Sequence, residues 1–202
     1  MFLPNGATGG VHMNLTGWII LGVIVLVLLY TMGIYNRLVR LRALVKEAFS
    51  GITVQLRRRA DLIPNLVETV QGYAAHEREV FEEVSQARAA TMSAGGVAAT
   101  AKADAQMTGL LGRLFAVAEA YPELKANQNF LQLQDQLASI EGELQGARRY
   151  YNATVRDLNS TIQSFPPVLI ARPMGFTEEP FYQDEDPAIQ SAPKVSFARP
   201  AA

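Results

Sequence analysis

The sequence predicts an all-α protein: an N-terminal single transmembrane helix, an antiparallel up-and-down four-helix bundle, and a Pro-rich extended tail. Three observations carry this. Residues Leu15 to Tyr35, LTGWIILGVIVLVLLYTMGIY, contain no charge. Residues 36–165 repeat apolar side chains at spacings of three and four, with no period-2 stretch. Seven of the ten prolines lie beyond residue 165. The expected divisions are therefore a short tail (1–14), a membrane helix (15–35), a helical body (36–165) and the C-terminal tail (166–202). A long kinked helical hairpin is the alternative to four separate bundle helices.

At 1.5 Å per residue the apolar segment covers roughly 30 Å, the thickness of a bilayer's hydrocarbon core. Trp18 lies near one end and Tyr30 and Tyr35 near the other, where interfacial aromatics belong. A cleaved signal peptide fits less well, because residues 1–14 carry no Lys or Arg to form a basic n-region. Arg37, Arg40, Arg42 and Lys46 follow the span. The positive-inside rule then predicts a single-pass protein with its N-terminus outside and its body cytoplasmic. The same four side chains are candidates for contact with anionic headgroups, each contributing about 1 kcal/mol.

The first long stripe runs Leu38, Val45, Phe49, Ile52, Leu56, Ile63, Leu66, Val70, Tyr73, Val80, Val84. Ser93-Ala94-Gly95-Gly96 then breaks the chain, and a second break falls at Tyr121-Pro122. The last pattern places Phe130, Leu137, Leu144, Tyr151, Leu158 and Phe165 seven apart and ends at Pro166-Pro167. Within the first stripe stands RRRADLIPNLV, residues 57–67. A corner here, near residue 60, divides the body into segments of about 24, 32, 24 and 39 residues that can bury their stripes together. In that reading Arg57, Arg58 and Arg59 end one helix, Asp61 caps the next, and Pro64 falls at its third position. The apolar phase, however, continues through 56, 59 and 63, as in an unbroken helix kinked by Pro64. The corner is the reading adopted. In either reading, residue 165 returns toward the membrane end.

Candidate chemistry is sparse. With no cysteine, thiol catalysis, Cys-ligated zinc and disulfides are excluded. His76-Glu77 begins HEREV, which lacks the second histidine of a zincin pair, and His76 has no Glu three residues before it for a di-iron site. No P-loop, dinucleotide-binding or nucleophile-elbow pattern occurs. Eighteen basic and nineteen acidic residues nearly balance, so there is no nucleic-acid signature. The expectation is a non-enzyme without catalytic residues, metal or cofactor, and without a small-molecule substrate.

Other charges are expected to serve contacts between helices or with partners: Arg57, Arg58, Arg59, Glu119, Glu141 and Arg148. Glu141 and Arg148 are one heptad apart beside Leu144 and Tyr151, and the corner would bring Glu119 close to Arg57–Arg59. Tyr150-Tyr151-Asn152 reads as packing plus a hydrogen bond. Residues 37–59 hold seven bases and one acid, and residues 61–83 six acids and one base. In the corner reading these segments face each other. Lateral attraction between copies, giving a homo-oligomer, is the other use of that segregation. In the tail, Phe176, Phe181, Tyr182 and Phe197 are candidate docking residues, suited to an extended segment laid across a neighbouring subunit. The composition of 166–202 otherwise reads as disordered.

YNRLVRLRALVKEAFSGITVQLRRRADLIPNLVETVQGYAAHE, together with LKANQNFLQLQDQL, ARRYYNATVRDLN, FPPVLIA and GFTEEPFY, resembles the LemA family of bacterial membrane proteins over roughly residues 35–182. Gln128 stands where that family often has Glu, and Leu158 where a second Tyr-Asn pair is common. The resemblance implies an anchor in the bacterial cytoplasmic (inner) membrane followed by an antiparallel four-helix bundle; it does not imply a catalytic activity. Relatives look associated with membrane-protein quality control beside an HtpX-like metalloprotease, and with magnetosome membranes, and both extend to this sequence by analogy. The function expected is a membrane-anchored scaffold or adaptor that binds lipid, copies of itself and other membrane proteins. The alternative is a membrane-shaping protein acting through oligomerisation.

Overall fold

The computed structural model describes residues 14–182, and every regular element in that range is helical. The chain forms α1 (Leu15–Gln71), α2 (Arg78–Ser93), α3 (Val97–Glu119), α4 (Pro122–Lys125), α5 (Gln128–Gln163) and α6 (Val168–Ala171). Successive long helices run antiparallel, as their contacts record. Ala60 meets Arg88 between α1 and α2, Glu83 meets Arg113 between α2 and α3, and Phe115 meets Phe130 between α3 and α5. Between α1 and α5, Phe49 packs on Tyr151 and Arg59 pairs with Glu141.

The expected corner at residues 57–65 does not exist. α1 continues unbroken from the apolar span to Gln71 with Pro64 inside it. Asp61 is an exposed interior residue and not an N-cap, and the chain reverses at residues 72–77. Gly72, a poor helix former, ends α1, and Tyr73 and Ala74 donate their N–H groups back to the Val70 carbonyl. A proline this deep in a helix leaves the carbonyl four residues earlier without its donor. That carbonyl belongs to Ala60, and Arg88 Nε of α2 donates to it at 2.8 Å. The long helix therefore survives its proline because a neighbouring helix supplies the missing bond.

Continuity has two consequences for charge. The basic 37–59 and acidic 61–83 segments do not face each other, because they follow one another up α1 and into α2. The acidic segment lies at the end remote from the apolar span. Glu119 also falls elsewhere than expected: it is exposed, eleven residues along α3 from the Thr108 that contacts Arg59, so roughly 16 Å beyond it.

The core divides into two. A cluster nearer the span joins Leu38, Ile52 and Leu56 of α1 to Leu144, Tyr151 and Leu158 of α5, with Ala101 of α3. A distal cluster joins Ile63, Leu66 and Val70 to Phe81, Val84, Met107, Leu114 and Phe130. The α2–α3 hairpin turns at Gly96, whose φ of 78° favours glycine; it covers the distal part of α1 and touches the near cluster through Val97 and Ala101. At the far end Asn127 caps α5, its Oδ1 accepting from the N–H groups of Asn129 and Phe130, and donates to the Tyr73 hydroxyl at 3.0 Å.

The near cluster is closed by the segment after α5. Gly175 (φ 74°) turns the chain so that Phe176 to Tyr182 lies extended along α5, with Phe176 and Tyr182 buried. This order comes from the chain's own helices rather than from a neighbouring subunit. Phe181 points to solvent, and Phe197 lies outside the described residues.

The Ala60–Arg88 bond gives a prediction. Arg88→Met leaves a buried carbonyl unpaired and is expected to cost about 1–3 kcal/mol. In the Pro64→Ala background, where residue 64 regains its N–H, the same change costs much less. Denaturant unfolding of the four variants in detergent measures the difference.

Candidate functional site

Between the two apolar clusters lies a layer of charge. Asp104 of α3 is 1% exposed and Arg59 of α1 is 2% exposed. Arg59 Nη2 donates to Asp104 Oδ1 at 2.5 Å, and Arg59 Nη1 to Glu141 Oε2 of α5 at 3.0 Å. Arg59 also donates to the Asp104 carbonyl at 3.3 Å and the Thr108 hydroxyl at 3.2 Å. Arg148 of α5 pairs with Asp104 Oδ2 and lies 3.6 Å from Glu141 Oε1. Two guanidiniums and two carboxylates make the cluster formally neutral. Asp104 is its hub.

The C-terminal segment reaches the same carboxylate. The Tyr182 hydroxyl donates to Asp104 Oδ2 at 2.7 Å, and the Arg148 guanidinium lies over the Tyr182 ring, 5.7 Å from its centroid. Two asparagines of α5 hold the segment by its backbone. Asn159 Nδ2 donates to the Glu179 carbonyl and its Oδ1 accepts from the Glu179 N–H, both at 2.9 Å. Asn152 makes the same pair with Tyr182, at 3.0 and 2.8 Å. The spacing is set by geometry. Seven residues of helix rise about 10.5 Å and three residues of extended chain span about 10 Å, so Asn159 and Asn152 meet Glu179 and Tyr182 in register. Tyr151, fully buried between them, donates its hydroxyl to the Pro180 carbonyl at 2.8 Å.

These environments shift proton affinities. Burial alone would lower the Arg148 guanidinium, but the charge and hydrogen bond of Asp104, with Glu141 behind, outweigh it and hold the group above its ordinary value. Burial, reinforced by the nearby Glu179 charge, pushes the Tyr151 phenol up to about 12. Burial and then Asp104 push the Tyr182 phenol up further, against the opposing pull of Arg148. Every charged group of the cluster is occupied by another member, so the arrangement holds three helices and the strap together. The Nε atoms of Arg59 and Arg148 are buried without hydrogen-bond partners among the described residues.

The remaining candidate residues scatter. Arg58 pairs with Glu143 at 2.7 Å on an exposed face, and Arg57 is exposed. Arg37, Arg40 and Lys46 are exposed on the stem, whereas Arg42 sits over the Phe176 ring at 5.3 Å. His76 is exposed in the 72–77 reversal. Among the described residues no three His, Asp or Glu side chains cluster to hold a metal ion. Sequence reasoning missed Asp104, Asn159 and Arg88. Asp104 did carry a signal: it is the only acid between Val97 and Ala118, and it stands in the stripe 104, 107, 111, 114, 118.

An uncovered apolar helix that runs without interruption into a charge-clamped helical body defines a membrane-associated helical protein. Comparison gives the family: the LemA family matches residues 48–197, and the chain belongs to it. It is 25% identical over 177 residues to the magnetosome proteins MamQ 1 and MamQ 2 of Paramagnetospirillum magneticum, an alignment covering 75% of this chain and 65% of each relative. Protein LemA of Metamycoplasma hominis is 27% identical over 151 residues, covering 70% of this chain and 68% of that protein. The chain thus spans 65% of the length of the MamQ proteins it matches.

Two predictions follow from the clamp. Asp104→Ala leaves buried Arg59 and partly exposed Arg148 to share Glu141 alone, and is expected to cost about 3–5 kcal/mol in denaturant unfolding, far more than Glu143→Ala at the exposed Arg58 pair. The phenols give an alkaline limit. Their folded-state values lie above the unfolded value of 10.0, so the stability they contribute is complete below pH 10 and is lost as pH rises through the folded values, about 12 for Tyr151. Phenolate absorbance should show late ionisation of these two tyrosines, each removed singly by Tyr151→Phe or Tyr182→Phe. Wild-type stability should fall more steeply above pH 10 than that of Tyr182→Phe.

Proposed function

We propose that the protein is a non-enzymatic, membrane-anchored scaffold or adaptor of the bacterial cytoplasmic membrane, with its N-terminus outside and its helical body in the cytoplasm. It self-associates and engages other membrane proteins in quality control, an HtpX-like protease among them. The observation that carries this reading is the unbroken α1. It runs 57 residues from an apolar span through the core, so no linker separates anchor from body. From Asn36 to Gln71 it holds the far end about 50 Å above the span. Exposed Glu68, Glu79, Glu82 and Glu123 outnumber exposed Arg78 and Lys125 at that end, giving partners a net acidic surface at a fixed height. The interior charges support the same reading, because they neutralise one another and leave no group poised for chemistry.

Crosslinking in native membranes, followed by detergent extraction, affinity capture and mass measurement, tests it. The expected result is a multimer with a co-purifying membrane protein. A strict monomer that captures nothing would sink the proposal. The exposed Arg37, Arg40 and Lys46 on the stem favour a second reading, in which oligomers impose curvature on an anionic surface. Liposome imaging separates the two, since an adaptor leaves vesicle shape unchanged.

A further inference from the structure

Among the described residues, the most exposed large apolar side chains outside the span gather at one place. Phe165 is 79% exposed, Leu169 65% and Met174 56%, all on the elbow between α5 and the strap. By comparison, the next most exposed on the body are Val54 at 52% and Tyr150 at 51%, with Leu131 at 44% and Met92 at 43%. The elbow is not loosely held. Ala171 is fully buried in the near core with Ile34 and Leu38 of α1, and Ile170 packs against the same cluster. Phe176 meets Tyr35 edge-on with ring centroids 5.7 Å apart. The fold therefore fixes the backbone while turning three large apolar groups outward, an arrangement with a cost in water.

Its height is set by the helix register. Phe49 lies beside Tyr151 and Arg59 beside Glu141, so each step down α5 is a step toward the span on α1. Continued, this register places Phe165 opposite Tyr35, one residue before the charge-free run ends at Asn36. An apolar core about 30 Å thick, flanked by headgroup layers, puts that level at the hydrocarbon boundary. Exposed Arg37 and Arg40 follow within five residues of Tyr35 on α1, and exposed Arg172 lies in the elbow itself, as cations do where they meet headgroup phosphates.

The geometry points to the elbow as a second membrane contact: Phe165, Leu169 and Met174 dip into the leaflet at which the span emerges, with Arg172 at headgroup level. This rests on the span being embedded and holds for either orientation. A second contact beside the span, packed on α1 through Ala171, would restrict the tilt of the body, which a single span leaves free to swing. The occupant is the lipid surface, because the patch is continuous with the bilayer boundary that the span defines.

The chain has no cysteine, so single labelling sites can be introduced at will. Full-length Phe165→Cys, Leu169→Cys and Met174→Cys, each carrying a solvent-sensitive fluorophore, are reconstituted in vesicles of phosphatidylcholine and phosphatidylglycerol. Met92→Cys and Leu131→Cys report water, and Val25→Cys reports the span. Elbow labels should be quenched by iodide roughly threefold less than the body labels, and quenched by lipids brominated near the headgroup. Iodide quenching equal to that at Met92 and Leu131, with Val25 quenched by lipid, overturns the elbow contact alone. Shielding from iodide without quenching by brominated lipid also overturns it, by assigning the patch to a second copy. A water-exposed label at Val25 overturns the embedded span and the elbow together. Because three positions report independently, one badly folded variant does not decide the outcome.

Discussion

One buried carboxylate organises the molecule. Asp104 accepts from Arg59 on α1, Arg148 on α5 and Tyr182 on the strap, so four segments distant in sequence converge on two oxygen atoms. Moving such charges out of water costs several kcal/mol per ion, and their mutual attraction returns that only with good geometry. The cluster is therefore a weak source of net stability. Its strength lies in what it forbids. Any arrangement that separates Asp104 from its partners leaves charge stranded in an apolar interior, so the alternatives rise in energy even where the native state gains little.

That asymmetry matters because apolar stripes alone are permissive. On α5, Phe130, Leu137, Leu144, Tyr151 and Leu158 repeat every seven residues. Sliding α5 by one heptad past α1 would keep greasy faces together and cost modest packing. The same slide would carry Glu141 and Arg148 about 10 Å from Arg59 and Asp104. The asparagine pair adds a second vernier. Asn159 and Asn152 match a helical rise of seven residues to an extended run of three, so the strap can dock in only one register. Polar groups choose among packings that hydrophobic burial leaves nearly equivalent.

Much of this was legible in the sequence, and the failures have a common cause. The apolar span, the breaks at Gly95-Gly96 and Tyr121-Pro122, and the end of α5 at Pro166-Pro167 follow from local rules of length and propensity. The error at residues 57–65 came from weighing Pro64 and three arginines as local disruptions. The same window held the opposite signal: Arg59 falls in phase with Leu56 and Ile63, which reads as a buried, paired residue on an unbroken face. What neutralises Pro64 and Arg59 lies far away in sequence, at Arg88, Asp104 and Glu141, and local patterning has no access to a partner 28, 45 or 82 positions on. Asp104 was overlooked for the complementary reason. A single acid among alanines looks unremarkable until its place in the 104–107–111 stripe is noticed. The tail shows the limit of composition. Its prolines and acids argue against a packed core, yet residues 176–182 need no core of their own, because α5 supplies both the hydrogen bonds and the apolar floor.

The register has a consequence at the bilayer. The height of the elbow above the span is not fixed by the elbow itself, since α6 has only four residues and the segment contains three of the chain's prolines. It is fixed by how far α5 extends down α1, and that is decided at the Asp104 layer, whose Arg59 lies about 36 Å up α1 from Tyr35. Slipping one heptad in either direction would lift Phe165 well clear of the headgroups or drive Ser164 and Gln163 into hydrocarbon. A charge cluster remote from lipid thus governs which side chains the protein shows to it. The unbroken stretch of α1 from Tyr35 to Arg59 is what makes this possible, because span and layer share one helix. Beyond that layer, Arg88 supplies the Ala60 carbonyl with the bond that Pro64 withholds, and the same helix continues into the distal core.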